Sequence, residues 1–449
     1  VFWDELFVLP VLTAHQPWVS RAMLEYRYRR LDAARRAAAD DGLAGATFPW
    51  QSGSDGREET PAVLFNTRSG RWMPDNSRRQ RHVGLAIAYN AWQYYQTTGD
   101  VAWLAHRGAD LIIEVVRSFA SLATYDEAED RFHIDGVMGP DEFHDGYPDA
   151  PGQGLRDNAY TNVLAAWACA RAADVLDLTD GQDCDGARTR LGIRPEERAL
   201  WARLTRRLAV PFHDGVISQF AGYADLAELD WARYRRTYGN IGRLDLILES
   251  EGDTTNRYRL AKQPDVLMLV YLLGPDGLES ALHQLGYPTD PDLVARTFDY
   301  YAERTAHGST LSRVVQASVL ARMDPARAWR TFRDAATADL DDTQGGTTGE
   351  GIHLGAMAGT IDIVTRAFAG LRTDADTVVL DPNLPAGLTR ASFSLIHRGQ
   401  RLRVTLESGT VAVCADPCAT NPAVRVRVGD REEAIPVGGH AVFAVDRRI

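Results

Sequence analysis

The sequence lacks the features that would place it in a membrane or on nucleic acid. Its longest hydrophobic run, Val266–Leu273, is far shorter than the roughly 20 residues that a transmembrane helix needs. Its formal net charge is −12, so it has no excess of basic residues. A nucleic-acid or anionic-membrane partner would call for a basic face, and neither partner is expected. A neutral small molecule, such as a sugar, suits this charge balance better.

The start of the chain lacks the basic, then apolar pattern of a signal peptide, since it reads Val1-Phe2-Trp3-Asp4-Glu5. We therefore expect a cytoplasmic protein. The chain also begins without Met, which indicates a fragment or a processed product of a longer protein.

Cysteine is scarce, with Cys169, Cys184, Cys414 and Cys418 only, and this favours a reducing compartment. Cys169 lies in an apolar helical run, as a small buried hydrophobic residue would. The pair Cys414 and Cys418 has no His or Cys partner at zinc-like spacing, so no metal site is expected there. The pair either closes a small disulfide loop or stays reduced.

Most of the chain, from about residue 13 to residue 371, has apolar residues at spacings of three and four, which predicts helices. Long polar linkers separate several of them, at 47–75, 135–157 and 339–351, and long loops in compact domains are often functional. Helix pairs joined by such loops favour a mainly α fold, an α/α barrel. We assign residues 1–375 to this catalytic domain.

The pattern changes near Val379, where short Val-rich segments with period-two alternation replace the helical spacing. Strands are predicted near 401–406, 410–414, 423–428 and 441–445. We therefore predict that residues 376–449 form a small C-terminal antiparallel β-domain.

The turn Gly139-Pro140-Asp141-Glu142 is the leading candidate for chemistry, because it fixes a carboxylic acid on a rigid loop between helices. Breaking a glycosidic bond requires protonation of the leaving oxygen, which suits a well-held acid. Like-charge repulsion from Asp141 and Asp145 would help to keep Glu142 protonated. The alternative is an ordinary polar turn with Glu142 as a cap or a solvated charge.

Three other segments carry candidate ligand-binding groups. Aromatic rings and polar groups that suit sugar binding occur at Trp3, Asp4 and Trp50. Lys262-Gln263 precedes a buried helix and could clamp a ligand. Hydroxyl, imidazole and glycine residues at 307–312 and 345–353 could cradle a phosphate. The alternatives are a core Trp3, a surface Lys262, and N-capping by Ser309 beside a flexible glycine loop.

Seven segments, in this order along the chain, resemble glycoside hydrolase family 65. That family contains inverting phosphorylases of maltose, trehalose, kojibiose and nigerose, with some hydrolases such as acid trehalases. The matching strings are FWDELFVLP (2–10), RHVGLAIAYNAWQYYQTTGD (81–100), GVMGPDEFH (136–144), DNAYTNV (157–163), KQPDVL (262–267), HGSTLS (307–312) and EGIHLGAMAGT (350–360).

The resemblance implies an (α/α)6 barrel followed by a small C-terminal β-domain. A large β-sandwich and a linker helix usually precede this part in the family and supply part of the dimer contact. Such a region is absent here. The chain is therefore similar to the catalytic and C-terminal parts only, with the β-sandwich and a homodimer expected of the full-length protein.

The resemblance also implies residue roles. Glu142 matches the general acid, and Trp3, Asp4, Lys262 and Gln263 match residues that bind the glucosyl unit. The residues that match the phosphate site are Ser309, Thr310 and His353. No metal and no cofactor are implied, and inorganic phosphate is the co-substrate.

Some positions depart from the family pattern. Thr310 replaces the second Ser of a Ser pair but keeps a hydroxyl, and Gln316 stands where the family often has His. The family usually has two Asn after an Asp where this chain has Arg156-Asp157-Asn158. This difference affects which sugar the acceptor side of the site would bind.

Three functions are therefore predicted in order. The first is inverting phosphorolysis of an α-linked glucose disaccharide of the trehalose, kojibiose or maltose type to β-glucose 1-phosphate and a free sugar. The second is an inverting hydrolase, with a base carboxylate such as Glu350. The third is a truncated sugar-binding fragment with little activity.

Overall fold

A computed structural model describes residues 2–180, 186–343, 347–407, 409–418 and 421–445, apart from the side chain of Glu350. The helices are α1 Glu5–His15, α2 Pro17–Arg29, α3 Leu31–Asp40, α4 His82–Thr98, α5 Val101–Trp103, α6 Ala109–Leu122, α7 Ala159–Thr179, α8 Ala187–Arg190, α9 Pro195–Arg207, α10 Trp231–Tyr238, α11 Leu244–Ser250, α12 Leu267–Gln284, α13 Leu293–Ala302, α14 Leu311–Leu320, α15 Pro325–Ala336 and α16 Leu354–Asp362.

Six of the described helices close into a ring. In order around the ring, α1 packs against α4, α4 against α7, α7 against α12, α12 against α14, α14 against α16, and α16 returns to α1. The helices α2, α6, α9, α13 and α15 pack on the outside of this ring. Inner helices flanked on both sides must be apolar nearly all round, and α4 and α7 are buried along most of their length. The predicted helical barrel is confirmed.

Local sequence explains where several helices begin and end. Gly99 ends α4 in the left-handed conformation, with φ of 66°, as glycine readily does. Asn158 begins α7, because its side chain accepts a hydrogen bond from the backbone N–H of Thr161. Pro195 and Pro325 occupy the first positions of α9 and α15, where the missing N–H is not needed.

The linkers contain strands that the helical pattern did not predict. The first pair, β1 Val63–Asn66 and β2 Arg71–Pro74, forms a hairpin within the 47–75 linker. Two further hairpins are β3 Ala123–Asp126 with β4 Arg131–Ile134, and β5 Phe212–His213 with β6 Val216–Ile217. These strands are only two to four residues long, too short for a periodic pattern to show.

The C-terminal region is the predicted β-domain, with two four-stranded sheets. Its strands are β7 Arg372–Asp374, β8 Thr377–Leu380, β9 Arg390–His397, β10 Gln400–Glu407, β11 Thr410–Ala415, β12 Ala423–Val428, β13 Arg431–Pro436 and β14 His440–Ala444. One sheet, in the order β14-β11-β10-β9, is antiparallel throughout. The other, β13-β12-β8-β7, is mixed, because β8 and β12 pair in parallel.

The β-domain packs on the helical ring through β9, which contacts α1 and α4. Cys414 in β11 has a free thiol, so the disulfide alternative is not adopted. The sulfur of Cys418 lies 3.7 Å from the carbonyl oxygen of Gly399. Cys169 is buried in α7, as predicted, and Cys184 lies outside the described residues. None of the helices in the described part of the chain combines the length and apolar character needed to cross a bilayer.

Candidate active site

The candidate site lies where the N-termini of the ring helices meet. Rings of Trp3, His82 and Tyr160 contact one another at the starts of α1, α4 and α7. Farther around the ring, Asn158, which directly precedes α7, donates a hydrogen bond to Asp265, which lies just before α12. The N-terminus of a helix carries partial positive charge and unpaired N–H groups, so this end of the barrel favours anions.

The turn that bears Glu142 is held close against the helix starts. An added Cβ at Gly139 would lie 2.1 Å from Asp265 Oδ2 and 2.3 Å from Asn158 Nδ2, so only glycine fits there. Glu142 itself has φ of 64°, an uncommon conformation for a residue with a side chain. Such local strain is often found at functional sites, where surrounding contacts maintain it.

Both carboxylate oxygens of Glu142 accept hydrogen bonds. Lys262 Nζ lies 2.7 Å from Oε2, and Gln263 Nε2 lies 2.8 Å from Oε1. Gln263 Nε2 also donates to the carbonyl of Pro140, which fixes it against the turn. Lys262 is the only lysine in the sequence. The structure thus brings together three of the predicted site residues.

We expected the charges of Asp141 and Asp145 to help keep Glu142 protonated, but the contacts of these two residues do not support this. Asp141 is fully buried and its Oδ2 lies 2.6 Å from His144 Nδ1. Asp145 accepts from Asn256 and Asn76 instead. The charged group beside Glu142 is instead the Lys262 ammonium, 2.7 Å from Oε2. Asp141 and Asp145 contact other groups because neighbouring residues in a tight turn point their side chains in different directions.

The buried pair under the turn is a structural support. His144 Nε2 lies 3.0 Å from the carbonyl oxygen of Tyr258, so it must carry a proton to donate. The Asp141–His144 contact therefore holds a further proton between the two side chains. Close by, burial raises the pKa of Asp265 well above its usual value, and the Asp141 charge acts in the same direction. Burial thus disfavours the charged form of Asp265 beneath the turn.

Asp4, at the start of α1, connects Glu142 with the opposite wall of the site. Burial raises the pKa of Asp4, the Glu142 charge adds to this rise, and the nearby His353 opposes it. An added Cβ at Gly355 would lie 2.4 Å from Asp4 Oδ1, so the start of α16 is in close contact with this carboxylate. Asp4 therefore lies between the candidate acid and the predicted phosphate site.

The loop before α14 approaches Lys262 through its backbone. Gly308 N–H donates to the Lys262 carbonyl at 2.9 Å, and an added Cβ at Gly308 would meet the Gly242 carbonyl oxygen at 2.0 Å. Ser309 Oγ accepts the N–H of Leu311 at 3.3 Å, but the N-cap of α14 is Thr310, which makes no side-chain capping bond, so N-capping by Ser309 is not adopted. The hydroxyl proton of Ser309 is not used by its bond to Leu311, so this contact and phosphate binding are compatible.

His353 is oriented by Asp339, a residue that the sequence did not single out as a partner. Asp339 Oδ1 lies 2.5 Å from His353 Nδ1, and its Oδ2 accepts the backbone N–H of His353 at 2.9 Å. Burial acts against ionisation of Asp339, but the His353 contacts outweigh it and lower the pKa of Asp339. The side chain of Glu350 lies outside the described residues.

The two tryptophans predicted to contact sugar are mostly buried. Trp3 is 3% exposed and Trp50 is 7% exposed, and their rings pack edge-on against His82. Burial lowers the pKa of His82 to about 3, so this imidazole is neutral. The interpretation of Trp3 as a core residue therefore fits its surroundings, and direct sugar contact by either ring stays a prediction.

Several residues of the site were not identified from the sequence. Asp265 and Asn158 support the turn, Asp339 orients His353, and the charge of Arg243 lies close enough to influence Glu142. The only available signal was position, because Asn158 and Asp265 directly precede long apolar helical runs. Their contacts span up to 107 residues of sequence, which no local pattern reveals.

The fold and the site define a helical-barrel protein with a carboxylic acid held by a lysine and a glutamine at one end of the ring. The model of the glycosyl hydrolase family 65 central catalytic domain matches residues 1–362, and that of the family 65 C-terminal domain matches residues 371–434. The chain belongs to glycosyl hydrolase family 65.

Similar proteins include a Mycobacterium tuberculosis protein named as an uncharacterized glycosyl hydrolase, 50% identical over 94% of this chain and 32% of that protein. A trehalose 6-phosphate phosphorylase of Lactococcus lactis is 40% identical over 92% of this chain and 52% of that protein. The chain thus spans from a third to about half of these relatives' lengths. A solved structure named as a candidate kojibiose phosphorylase from the human microbiome has the same fold, with a TM-score of 0.78, 20% identity, and coverage of 100% of this chain and 60% of that one.

Proposed function

We propose that the chain is the catalytic part of an inverting phosphorylase, which cleaves an α-linked glucose disaccharide with phosphate. The products are β-glucose 1-phosphate and a free sugar. The proposal rests on the placement of Glu142 among helix N-termini, with Lys262 and Gln263 on its carboxylate. A single acid on one side and hydroxyl and imidazole groups on the other suit a nucleophile that is already an anion.

The phosphate would be held by Ser309, Thr310 and His353, at the starts of α14 and α16. Helix N-termini and hydroxyl groups bind anions well because they donate hydrogen bonds along the helix dipole. The Asp339 carboxylate fixes the orientation of the His353 ring, which would act as a further hydrogen-bond donor to the phosphate. Because phosphate is an anionic nucleophile, no base carboxylate is needed, in contrast to an inverting hydrolase.

Glu142 would protonate the glycosidic oxygen while phosphate attacks the anomeric carbon from the opposite face. Before this step Glu142 must exchange the Lys262 hydrogen bond for a proton. We propose that the glucosyl hydroxyls or the incoming phosphate draw Lys262 away, which frees Glu142 to take up the proton. Asp4 and Gln263 would hold the glucosyl unit through its hydroxyl groups.

The test is product analysis with trehalose, trehalose 6-phosphate, kojibiose and maltose, each with and without inorganic phosphate. A phosphorylase releases glucose 1-phosphate only when phosphate is present, and proton NMR of the first product identifies the β-anomer. Equal cleavage without phosphate would instead indicate the hydrolase, for which Glu350 is the candidate base. No turnover of any substrate, with sugar binding retained, would support the truncated-fragment alternative.

We further propose a phosphorylated disaccharide as the substrate to test first. The trehalose 6-phosphate phosphorylase relative motivates this choice, and so does Arg243, whose guanidinium influences Glu142 from the rim of the site. Asp245 pairs with the exposed Arg243 at 2.6 Å, and a sugar phosphate could replace this partly buried partner.

The matched experiment compares Arg243→Gln with Arg257→Gln. Arg257 is also an exposed arginine, paired with Asp253 at 2.9 Å, and Glu142 is not among the charged groups that act on it. Loss of Arg243 should raise KM for trehalose 6-phosphate about tenfold and leave KM for trehalose unchanged. Equal effects of both variants on both sugars would contradict this substrate assignment.

The assembly also remains a proposal. We propose that an N-terminal β-sandwich accompanies this region in the full-length protein, which forms a homodimer. Light scattering of the full-length protein and of residues 1–449 tests this, since a dimer of the former and a monomer of the latter are expected.

A further inference from the structure

The β3–β4 hairpin brings together three groups that could ligate a metal ion. One donor atom each from Asp126, Glu129 and His133 lies within 4.8 Å of the others. They come from the end of β3, the turn and β4, so an eight-residue stretch of chain supplies all three donors. The hairpin contains none of the residues predicted to be catalytic. The predicted catalytic site itself is not expected to use a metal.

His133 shows that this cluster differs from an ordinary group of surface acids. The residue is 4% exposed, and its Nε2 atom is buried and makes no hydrogen bond within the described part of the chain. Buried polar atoms nearly always have a hydrogen-bond partner, so this one calls for an explanation. The group that faces it is the Glu129 carboxylate, whose Oε2 lies 3.4 Å away.

The other ring nitrogen of His133 is fixed in the way that metal-binding histidines usually are. Asp157 Oδ2 lies 2.7 Å from His133 Nδ1, and Asp157 Oδ1 accepts from Ile134 N–H and Asn162 Nδ2. A carboxylate on Nδ1 sets the ring orientation and leaves the Nε2 lone pair for the metal. The Asp157 contact therefore holds the ring with Nε2 facing Glu129.

The spacing suits a small divalent cation. Two ligands about 2.1 Å from a tetrahedral zinc ion are about 3.4 Å apart, which matches the Nε2–Oε2 distance. Asp126 Oδ1 already accepts the N–H groups of Ala128 and Glu129, which leaves Oδ2 for the ion. Glu129 is 61% exposed and can adjust its position as the ion binds.

We propose that Asp126, Glu129 and His133 bind one divalent transition-type cation, zinc or manganese, with water completing its coordination. An imidazole with two carboxylates suits these ions better than calcium or magnesium, which prefer oxygen ligands alone. The ion would support the active site from outside, because Asp157 directly precedes Asn158, and Asn158 bonds Asp265 beneath the Glu142 turn. Its role is structural and does not depend on the proposed function.

The test uses tag-free protein that has been treated with a chelator and then titrated separately with zinc, manganese and calcium chloride. We expect one zinc or manganese ion per chain by calorimetry, a rise of several degrees in Tm, and weaker calcium binding. The variant Glu129→Gln should bind at least tenfold more weakly, because it replaces an exposed ligand without disturbing the core. Cobalt substitution should add visible absorption bands that the variant loses.

The control is Glu127→Gln, which neutralises an exposed acid in the same turn that is not among the three ligands. It should bind zinc or manganese as the parent protein does. His133→Gln should abolish binding but also lower Tm, so Glu129→Gln decides the result. Unchanged affinity in Glu129→Gln, or no binding by the parent protein, would overturn the proposal.

Discussion

The two ends of the helical ring each contain a carboxylate paired with a cation, yet the surroundings of the two pairs differ. At the N-terminal end, Glu142 lies on a loop, and the side chains of Glu142 and Lys262 are 21% and 22% exposed. At the C-terminal end, Asp362 is 4% exposed and pairs with Arg366 at 3.2 Å, within helical backbone. A cavity of about 810 Å³ opens at this second end, and none of the predicted site residues line it.

The pair at the C-terminal end repairs a break in a helix. In α12, Gly274 has φ of 72° and Pro275 has no N–H, so carbonyls before them lose helical partners. Arg366 Nη2 lies 3.3 Å from the carbonyl oxygens of Tyr271 and Leu272. The arginine thus replaces the missing donors at a helix end where positive charge is favoured.

The two pairs, Glu142 with Lys262 and Asp362 with Arg366, combine the same charges but serve different purposes. Burial raises the pKa of Asp362, and Arg366 opposes the rise, so the charged aspartate depends on its partner. Glu142 is open to a ligand, and its partner Lys262 sits on a loop that other residues hold in place. We therefore expect that changes at the first end affect chemistry and that changes at the second end affect stability.

The largest effect is expected from Glu142→Gln, which keeps the shape but removes the proton donor. Phosphorolysis should fall by about 10³-fold, since general acids typically contribute 10²–10⁴-fold. Tm should stay within about 2 °C, because the side chain is partly exposed. A disaccharide with a good leaving group should recover part of the rate, and retention of full activity would remove Glu142 from the mechanism.

Next in size is Arg366→Met, which leaves Asp362 buried without its cation. Unfolding in urea should show a loss of about 3 kcal/mol, within the range for broken buried pairs. Turnover at low temperature should change little. The double variant Asp362→Asn with Arg366→Met should regain part of the lost free energy, and an unchanged single variant would argue against this stabilising role.

A smaller effect is expected from Lys262→Gln, which removes a donor near the substrate. We expect a 10- to 100-fold loss of kcat/KM with normal Tm, since a hydrogen bond to a charged group is worth about 1.5–3 kcal/mol. Because Lys262 is the only lysine, an amine-selective reagent should label the chain at this side chain and at the N-terminus. Substrate and phosphate should protect Lys262, and labelling without loss of activity would contradict its role.

The smallest effect is that of a single pH unit acting through His82, which is buried at the N-terminal end of the ring with a pKa of about 3. This folded value lies below the unfolded value of about 6.5, so the neutral form contributes stability above pH 6.5 that is lost as pH falls towards 3. Each unit of pH in this window should lower the free energy of unfolding by about 1.4 kcal/mol.

The variant His82→Gln should show a correspondingly shallower pH dependence in urea unfolding between pH 6 and 4.5. The exposed His440→Gln is the control and should keep the parent slope. Identical slopes for all three proteins would show that His82 does not titrate as expected.

The comparison also explains what could be predicted from the sequence. The bounds of α15, Pro325–Ala336, follow from local signals, because Pro stands at the first position and an apolar stripe continues from it. The apolar run Val266–Leu273 ends at the Gly274-Pro275 break, which is also a local signal. The short hairpins were missed because their strands are too short to show alternation, and the parallel pairing of β8 with β12 was missed because these strands are far apart in the sequence.

At the active site the same division applies. The Glu142 turn and the Lys262-Gln263 pair were identified from residue type and family resemblance, and the structure brings them into contact. The neighbour expected to act on Glu142 was Asp141, but Asp141 turns inward to His144. Adjacency in sequence gave the wrong electrostatic partner, since side-chain direction depends on backbone φ and ψ angles that the tertiary contacts impose.

By itself the sequence determined the helical character, the change to a β-domain and the chemical groups available, because periodicity and residue type act over a few neighbouring positions. Only the tertiary structure decided which groups meet. Glu142 meets Lys262 across 120 residues and His133 meets Asp157 across 24, and the ring of helices has its anion-favouring ends on one side. Such contacts depend on how the packed helices align, which many distant apolar residues fix together.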